Sequence, residues 1–429
     1  MHETLLQFIW QYSLYRPGQL HTTDGEPVTV IFPGRRNTDA GPDFLAAKIR
    51  IGNVLLVGNV ELHVCSKDWF RHGHQHDPAY RHIILHVVYR DDAQAQGGAA
   101  PVMELAGHIP DYVIRQYTYL LQTHQRIPCG KELHRVKTIT GESWLVRLLA
   151  ERWEEKLTDW ELLLRRASGD WRSLLYWRMA ANFGFRTNAM PFLLLAQSLP
   201  LNILARHRDS LEQLEALLFG QAGMLQGDFH ETYPRALQDE YRYLQQKYRL
   251  MPLQAHIWKF MRMRPANFPS LRIAQFAALV HRSLHLLTRM LEKTTAAEIS
   301  ALLDVTASAY WDTHVRLDEP QQRCMKKRLG EASVRNIIIN TIAPVQFLYA
   351  HHHGMKAQQQ QALQLLEAIA PEQNSIIALW EAAGWQPVSA AQSQAMIQLY
   401  NHYCTPRRCL ECSIGLSIIR GERHADQNF

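Results

Sequence analysis

The sequence predicts an α/β (α+β) N-terminal domain with a small mixed sheet over residues 1–135, followed by a mainly α-helical domain over residues 136–400. A Cys-rich segment and tail, residues 401–429, complete the chain. Three observations carry this expectation. Between Phe44 and Val64, apolar and polar residues alternate on either side of Gly52-Asn53, a dipeptide suited to a tight hairpin turn because both residues tolerate positive φ. The run Ile83 to Tyr89 is almost wholly apolar, as in a strand covered on both faces. From Thr140 onward apolar residues recur at helical spacing, as in TGESWLVRLLAERWEEKLTDWELLLRR, and strand signals nearly vanish.

Taken in order, residues 2–15 place Leu5, Leu6, Ile9 and Trp10 on one side of a helix that Pro17-Gly18 ends. Val28 to Phe32 is a short strand closed by Pro33-Gly34. Asp43, after Pro42, opens the strand Phe44 to Ile51. The returning strand, Val54 to Val64, carries Glu61 and His63, whose spacing of two puts both on one face. The hairpin thus brings Asp43 near the Glu61-x-His63 pair. Ser66 to Arg81, with Trp69, His72, His74 and His76, has no regular period and reads as a short helix and a loop. His86 sits in the middle of the strand Ile83 to Tyr89. Residues 99–127 pass from strand to helix, and Cys129-Gly130 closes them. In the helical part Trp144, Leu148, Leu149 and Trp153 share one stripe. Breaks fall near Gly184, Pro200, Pro252, Pro265, Pro269, Gly330, Pro344 and Pro371, at no fixed repeat period. The tail after Arg420 is expected to fray.

With 429 residues, 47% of them apolar and 20% charged, the chain has room for two or three cores. No run approaches 18 apolar residues, so neither a membrane span nor a membrane partner is expected. The start, MHETLLQFIWQY, has no basic n-region of a signal peptide, and six cysteines gathered mainly at the far end do not form a secreted disulfide framework. A cytoplasmic location is expected; the oligomeric state stays open. The net charge of +6 is unevenly spread, because residues 1–110 hold nine Lys/Arg against eleven Asp/Glu and the remainder carries the whole excess. A basic remainder beside an acidic, His-rich front fits a metal site next to a polyanion-binding surface, with nucleic acid as the expected partner. An ordinary soluble protein has the same balance.

Four groups of residues carry chemistry. Asp43 and Glu61, converging at a strand end, suit Mg²⁺ or Mn²⁺, with His63 as base or third ligand and Glu3 as a water-mediated one. The competing reading has Asp43 capping a turn and Glu61 paired with Arg35 or Arg36. His63, His72, His74, His76 and His86 form a rival site for Zn²⁺ or Fe²⁺; otherwise His86 hydrogen-bonds a carboxylate or carbonyl. Cys404-x4-Cys409-x2-Cys412 packs three thiols into nine residues. A fourth ligand, Cys129 or the nearby His402, would complete a Zn²⁺ site or an iron–sulfur cluster. Without one they are three reduced thiols of which one or two are simply buried, while Cys65 and Cys324 are expected to be ordinary core or surface thiols. In RMRPANFPSLR, Arg262, Arg264 and Arg272 surround two prolines before a helix, an arrangement suited to nucleic-acid phosphate or simply to a rigid turn.

Pro42-Asp43 and Glu61-Leu62-His63, after a helix and before a further strand, resemble the motif of the restriction-endonuclease-like, or PD-(D/E)xK, nucleases. The resemblance covers roughly the first quarter of the chain. It implies a nuclease-like N-terminal domain in which Asp43 and Glu61 hold a catalytic divalent metal. His63 stands where that superfamily has a lysine supporting the attacking water. Some of its members hold an iron–sulfur cluster through one distant and three clustered cysteines, an order similar in kind to Cys129, Cys404, Cys409 and Cys412. The chain as a whole resembles a bacterial family of unknown function, through GPDF, GNVELH, DWFRHGHQHD, HIILHVV, RMRPANFPSLR and CTPRRCLECSIG. The expected function is metal-dependent hydrolysis of phosphodiester bonds in DNA or RNA. Two alternatives are a degenerate nuclease serving as a nucleic-acid-binding scaffold and a His-based metalloenzyme acting on a small molecule.

Overall fold

The computed structural model describes residues 1–18, 20–92, 100–282 and 286–421, so the tail expected to fray lies outside the described residues from position 422. The chain divides into two compact units. Met1–Leu145, Ala378–Trp385 and Leu399–Phe429 form the first; Val146–Ile377 and Gln386–Gln398 form the second. The Cys-rich C-terminal segment therefore groups with the N-terminal sheet.

The first unit opens with helix α1 (Glu3–Gln11), which buries Leu5, Leu6, Phe8, Ile9 and Trp10. A mixed sheet follows: β1 (Val28–Phe32), β2 (Arg35–Arg36), β3 (Phe44–Ile51), β4 (Val54–Cys65), β5 (Ile83–Arg90) and β6 (Val102–Glu104). The order is β1-β3-β4-β5-β6, with β2 pairing on β3. β1, β3 and β4 run antiparallel, while β5 and β6 are parallel to β4. Helix α1 packs on β4. The β3–β4 turn is at Gly52-Asn53 as expected, but Gly52 alone of the pair takes positive φ, at 55°. One left-handed residue at the first central position, where glycine has no Cβ to clash, is enough to match the strand twist.

A bulge in β3 decides what the hairpin presents. Ala47 pairs with Gly58, yet Phe44 pairs with Val60, so one residue is inserted between them. Ala46 takes it up at φ 54°, and its N–H is bonded to Asn59 Oδ1 at 3.3 Å. Directly opposed residues of an antiparallel pair share a face. Extending the Phe44–Val60 register by one residue sets Asp43 opposite Glu61; without the insertion Asp43 would oppose Leu62 and face the other way.

Parallel strands need a crossover, and here residues 66–82 supply it. They contain α2 (Asp68–Arg71) and two single 3₁₀ turns, His74–His76 and Pro78–Tyr80. Further on, α3 (Asp111–Gln122) buries Val113, Tyr117 and Leu120, and α4 (Thr138–Arg166) begins.

The second unit is mainly helical, as its spacing predicts. Its core includes Trp160, Phe183, Phe192, Phe219, Phe276 and Trp311, all nearly or wholly buried. Its strands, among the described residues, are the short pair His314–Arg316 and Glu319–Pro320. No helix of the described residues is long and apolar enough to cross a membrane.

Candidate metal centre

Asp43 and Glu61 clasp each other across the β3–β4 pair. The Asp43 N–H donates to Glu61 Oε2 at 3.0 Å, and the Leu62 N–H donates to Asp43 Oδ2 at 3.1 Å. Gln7, on α1, donates to Asp43 Oδ1 at 2.8 Å and reaches Glu3 Oε1 at 3.5 Å. Sequence reasoning missed Gln7, although it lies four residues after Glu3, on the same helical face. Arg36 donates to Gln7 Oε1 and not to Glu61. Among the described residues the groups within ion-pair distance of Glu61 are His63 and His74, at 3.6 and 3.5 Å from Oε1. The expected alternative of an Arg35 or Arg36 pair to Glu61 is therefore not what forms. Burial pushes the Asp43 carboxyl up to about 6, against the bonds from Leu62 and Gln7. Burial, and then the charge of Asp43, pushes Glu61 up to about 8. A buried carboxyl beside a half-buried one is costly to ionise.

The histidines gather on the same spot. Parallel pairing sets Glu61 beside His86 and His63 beside Val88, so the two histidines share the Glu61 face. His63 Nδ1 and His86 Nε2 are 2.9 Å apart, which gives His86 an imidazole partner where a carboxylate or carbonyl was expected. That bond fixes the His63 ring and leaves Nε2 toward Glu61. The crossover folds over this face. Gly73, at φ 73°, turns the chain between His72 and His74, a conformation open to glycine at no steric cost. Ligand nitrogens of His63, His72 and His74 consequently all lie within 4.8 Å of one another. His74 Nε2 is buried without a hydrogen-bond partner. The Tyr80 ring lies on His74 at 3.9 Å between centroids, and Trp69 packs against both His74 and His86. His76 is exposed and takes no part in this group. Burial lowers the basicity of His63 to about 3 and His86 to about 4, and lowers His74 as well. Neutral imidazoles with free lone pairs beside carboxylates are the donor set of a borderline divalent ion. The two centres that the sequence offered as rivals are thus one place in the fold.

Comparison with known families shows that residues 3–375 fit the family described as Protein of unknown function (DUF2851). The chain belongs to that family. No curated protein and no solved structure matches it.

Elsewhere in this DUF2851 chain the arginine turn divides. Arg262 and Arg264 are exposed, in the second unit. Arg272 is buried, which corrects its expected role as a phosphate contact. It donates to Gln275 at 2.9 Å, to Asn267 at 2.6 Å and to Ser333 at 3.1 Å. Its guanidinium also lies 4.6 Å over the Phe185 ring. Both terminal nitrogens are bonded to internal acceptors, and Nε is buried without a partner, so the guanidinium is closed to an outside anion by burial. Arg272→Ala should lower stability by roughly 2–3 kcal/mol, because three polar partners lose their donor. Denaturation midpoints will read this, and nucleic-acid affinity per folded molecule should be unaltered.

The structure also brings the distant Cys129 to the C-terminal motif. All four thiols are buried, and Cys129 and Cys404 each lie within electrostatic reach of Cys409 and Cys412. Arg407 makes the connection, its Nη2 donating to the carbonyls of Thr123 and Gln125 at 2.8 and 2.9 Å. The three C-terminal cysteines lie beyond the residues matched by the DUF2851 family.

Proposed function

We propose that the first unit is a metal-dependent phosphodiesterase acting on nucleic acid, with its divalent ion held by His63, His72, His74 and Glu61. The observation that carries the reading is the convergence of the buried Glu61 and the half-buried Asp43 with three imidazole nitrogens at one strand end. Three imidazoles shift the preference from Mg²⁺ toward Mn²⁺ or a neighbouring first-row ion. Bound there, such an ion polarises a phosphoryl oxygen and makes its water more acidic.

The chain's own residues then have distinct tasks. His63 is a ligand rather than a base, because burial keeps it neutral and too weakly basic to take a proton near pH 7. Asp43, partly exposed and raised to about 6, is the group poised to accept the proton of the attacking water. Arg35 and Arg36 form the exposed strand β2 alongside Phe44. They would meet substrate phosphate within this unit. The order of helix, three antiparallel strands, short helix and parallel strand agrees with the nuclease resemblance and favours a nucleic acid over a small substrate. The imidazole-rich donor set favours a second reading, a metalloenzyme acting on a small molecule.

Purified protein should cleave DNA or RNA with Mn²⁺, more weakly with Mg²⁺, and stop with EDTA. Arg35→Ala with Arg36→Ala should weaken nucleic-acid binding and flatten its salt slope. Stoichiometric metal without cleavage of any nucleic acid would turn the assignment to the small-molecule reading. Wild-type protein that takes up no divalent ion would end both.

A further inference from the structure

Cys129, Cys404, Cys409 and Cys412 lie outside the centre just described and have no part in it. Cys129 starts the 3₁₀ segment Gly130–Arg135, and Cys412 caps the C-terminal helix Ser413–Arg420. Each is nine-tenths buried or more. Cys412 stands at the N-terminus of that helix, whose free N–H groups and dipole favour a sulfur that carries negative charge, as a metal-bound thiolate does. Arg407 holds the motif against residues 123–125, just ahead of Cys129. Soft sulfur ligands select zinc, copper(I) or iron–sulfur clusters.

Spacing chooses among these. The run Cys404-x4-Cys409-x2-Cys412 with a distant fourth cysteine is the ligand spacing of an iron–sulfur cluster of the plant type, whereas a four-thiolate zinc site takes its cysteines as two separate close pairs.

We propose that Cys129, Cys404, Cys409 and Cys412 hold an iron–sulfur cluster that ties the C-terminal segment to residues 123–135 of the first unit. The assignment is independent of the hydrolytic centre. Full-length protein made with ample iron and purified without air should contain iron and acid-labile sulfide in equal amounts, about two of each per chain, with broad visible absorbance. Cys409→Ser and Cys129→Ser should each lose most of the sulfide, while Cys65→Ser keeps it. Glu61→Gln also keeps it, since imidazole and carboxylate ligands bind iron without sulfide; this separates failure here from failure of the hydrolase reading. Stoichiometric zinc in place of iron overturns the proposal. So does wild-type protein that takes up no sulfide on anaerobic reconstitution, a measurement that needs no variant to fold.

Discussion

Glu61→Gln should reduce metal-dependent cleavage to background and, in EDTA, make the protein more stable above neutral pH than the wild type. The two effects have one origin. Glu61 carries a carboxyl raised from 4.5 to about 8, first by burial and then by the Asp43 charge. The folded chain therefore keeps a proton that the unfolded chain releases, and this group's contribution to stability falls as pH rises between those values. His63, lowered from 6.5 to about 3, and His86, lowered to about 4, act in the opposite sense. For them, as for His74, the unfolded chain binds the extra proton, so stability rises with pH up to about 6.5. The trends oppose each other in acid, where Asp43 also titrates near 6. From pH 6.5 to 8 Glu61 alone would cost the metal-free wild type about 2 kcal/mol at most. Lys156 in the second unit, lowered to about 7 by burial, acts in the opposite sense over the same interval, so the Glu61 share is read as the difference between wild type and variant. Glutamine keeps the acceptor for the Asp43 N–H and has no proton to lose, so the wild-type urea midpoint should fall relative to it there. Added metal should reverse the wild-type slope, because ligands must be deprotonated to bind. A Glu61→Gln protein that still binds metal and cleaves, or one whose midpoint runs parallel to the wild type's in EDTA, would remove Glu61 from the centre.

How much of this was legible follows from what kind of signal each part leaves. The two periods, near two before residue 90 and near 3.6 after residue 140, gave the order of sheet and helices because each registers which side of an element is covered. Period two and the Gly52-Asn53 turn brought Asp43 and Glu61 together on paper. The bulge that makes them share a face had no signature, since alanine is no marker of the left-handed conformation that Ala46 adopts. His72 and His74 looked like a rival site because an irregular crossover has no period. Only the parallel pairing of β4 and β5 sends that crossover back over Glu61 and His63. Arg262, Arg264 and Arg272 looked equivalent in sequence. The helix Pro269–Arg282 separates them, because it is buried around its whole circumference from Pro269 to Val280 and takes Arg272 with it. Cys129 could be named as a partner from its thiol alone, but the link that brings it in is two bonds from Arg407 to backbone carbonyls, which no side-chain pattern records.

Gly415→Ala should be among the most damaging single-methyl changes in the first unit. Gly415 sits in the first turn of the helix Ser413–Arg420. A Cβ there would stand 2.2 Å from the Cys409 carbonyl oxygen and 3.0 Å from its carbon. The obstacle is backbone and cannot rotate away, and Cys409 is itself buried. Intrinsic propensity argues the other way, since alanine in a helix is worth about 1 kcal/mol over glycine. Forcing an extra methyl into a packed contact costs roughly 1–3 kcal/mol, and more where only backbone can yield. A contact of 2.2 Å belongs at the upper end of that range, so the clash should win and the melting temperature should fall by several degrees. The shift should also part Cys409 from its three companions, since it starts at the Cys409 peptide. Gly107→Ala is the control: a Cβ at that position meets nothing within 4 Å, and the change should be within about 0.5 kcal/mol of neutral. A Gly415→Ala protein that melts at or above the wild-type temperature would mean that the turn relaxes and helix propensity prevails.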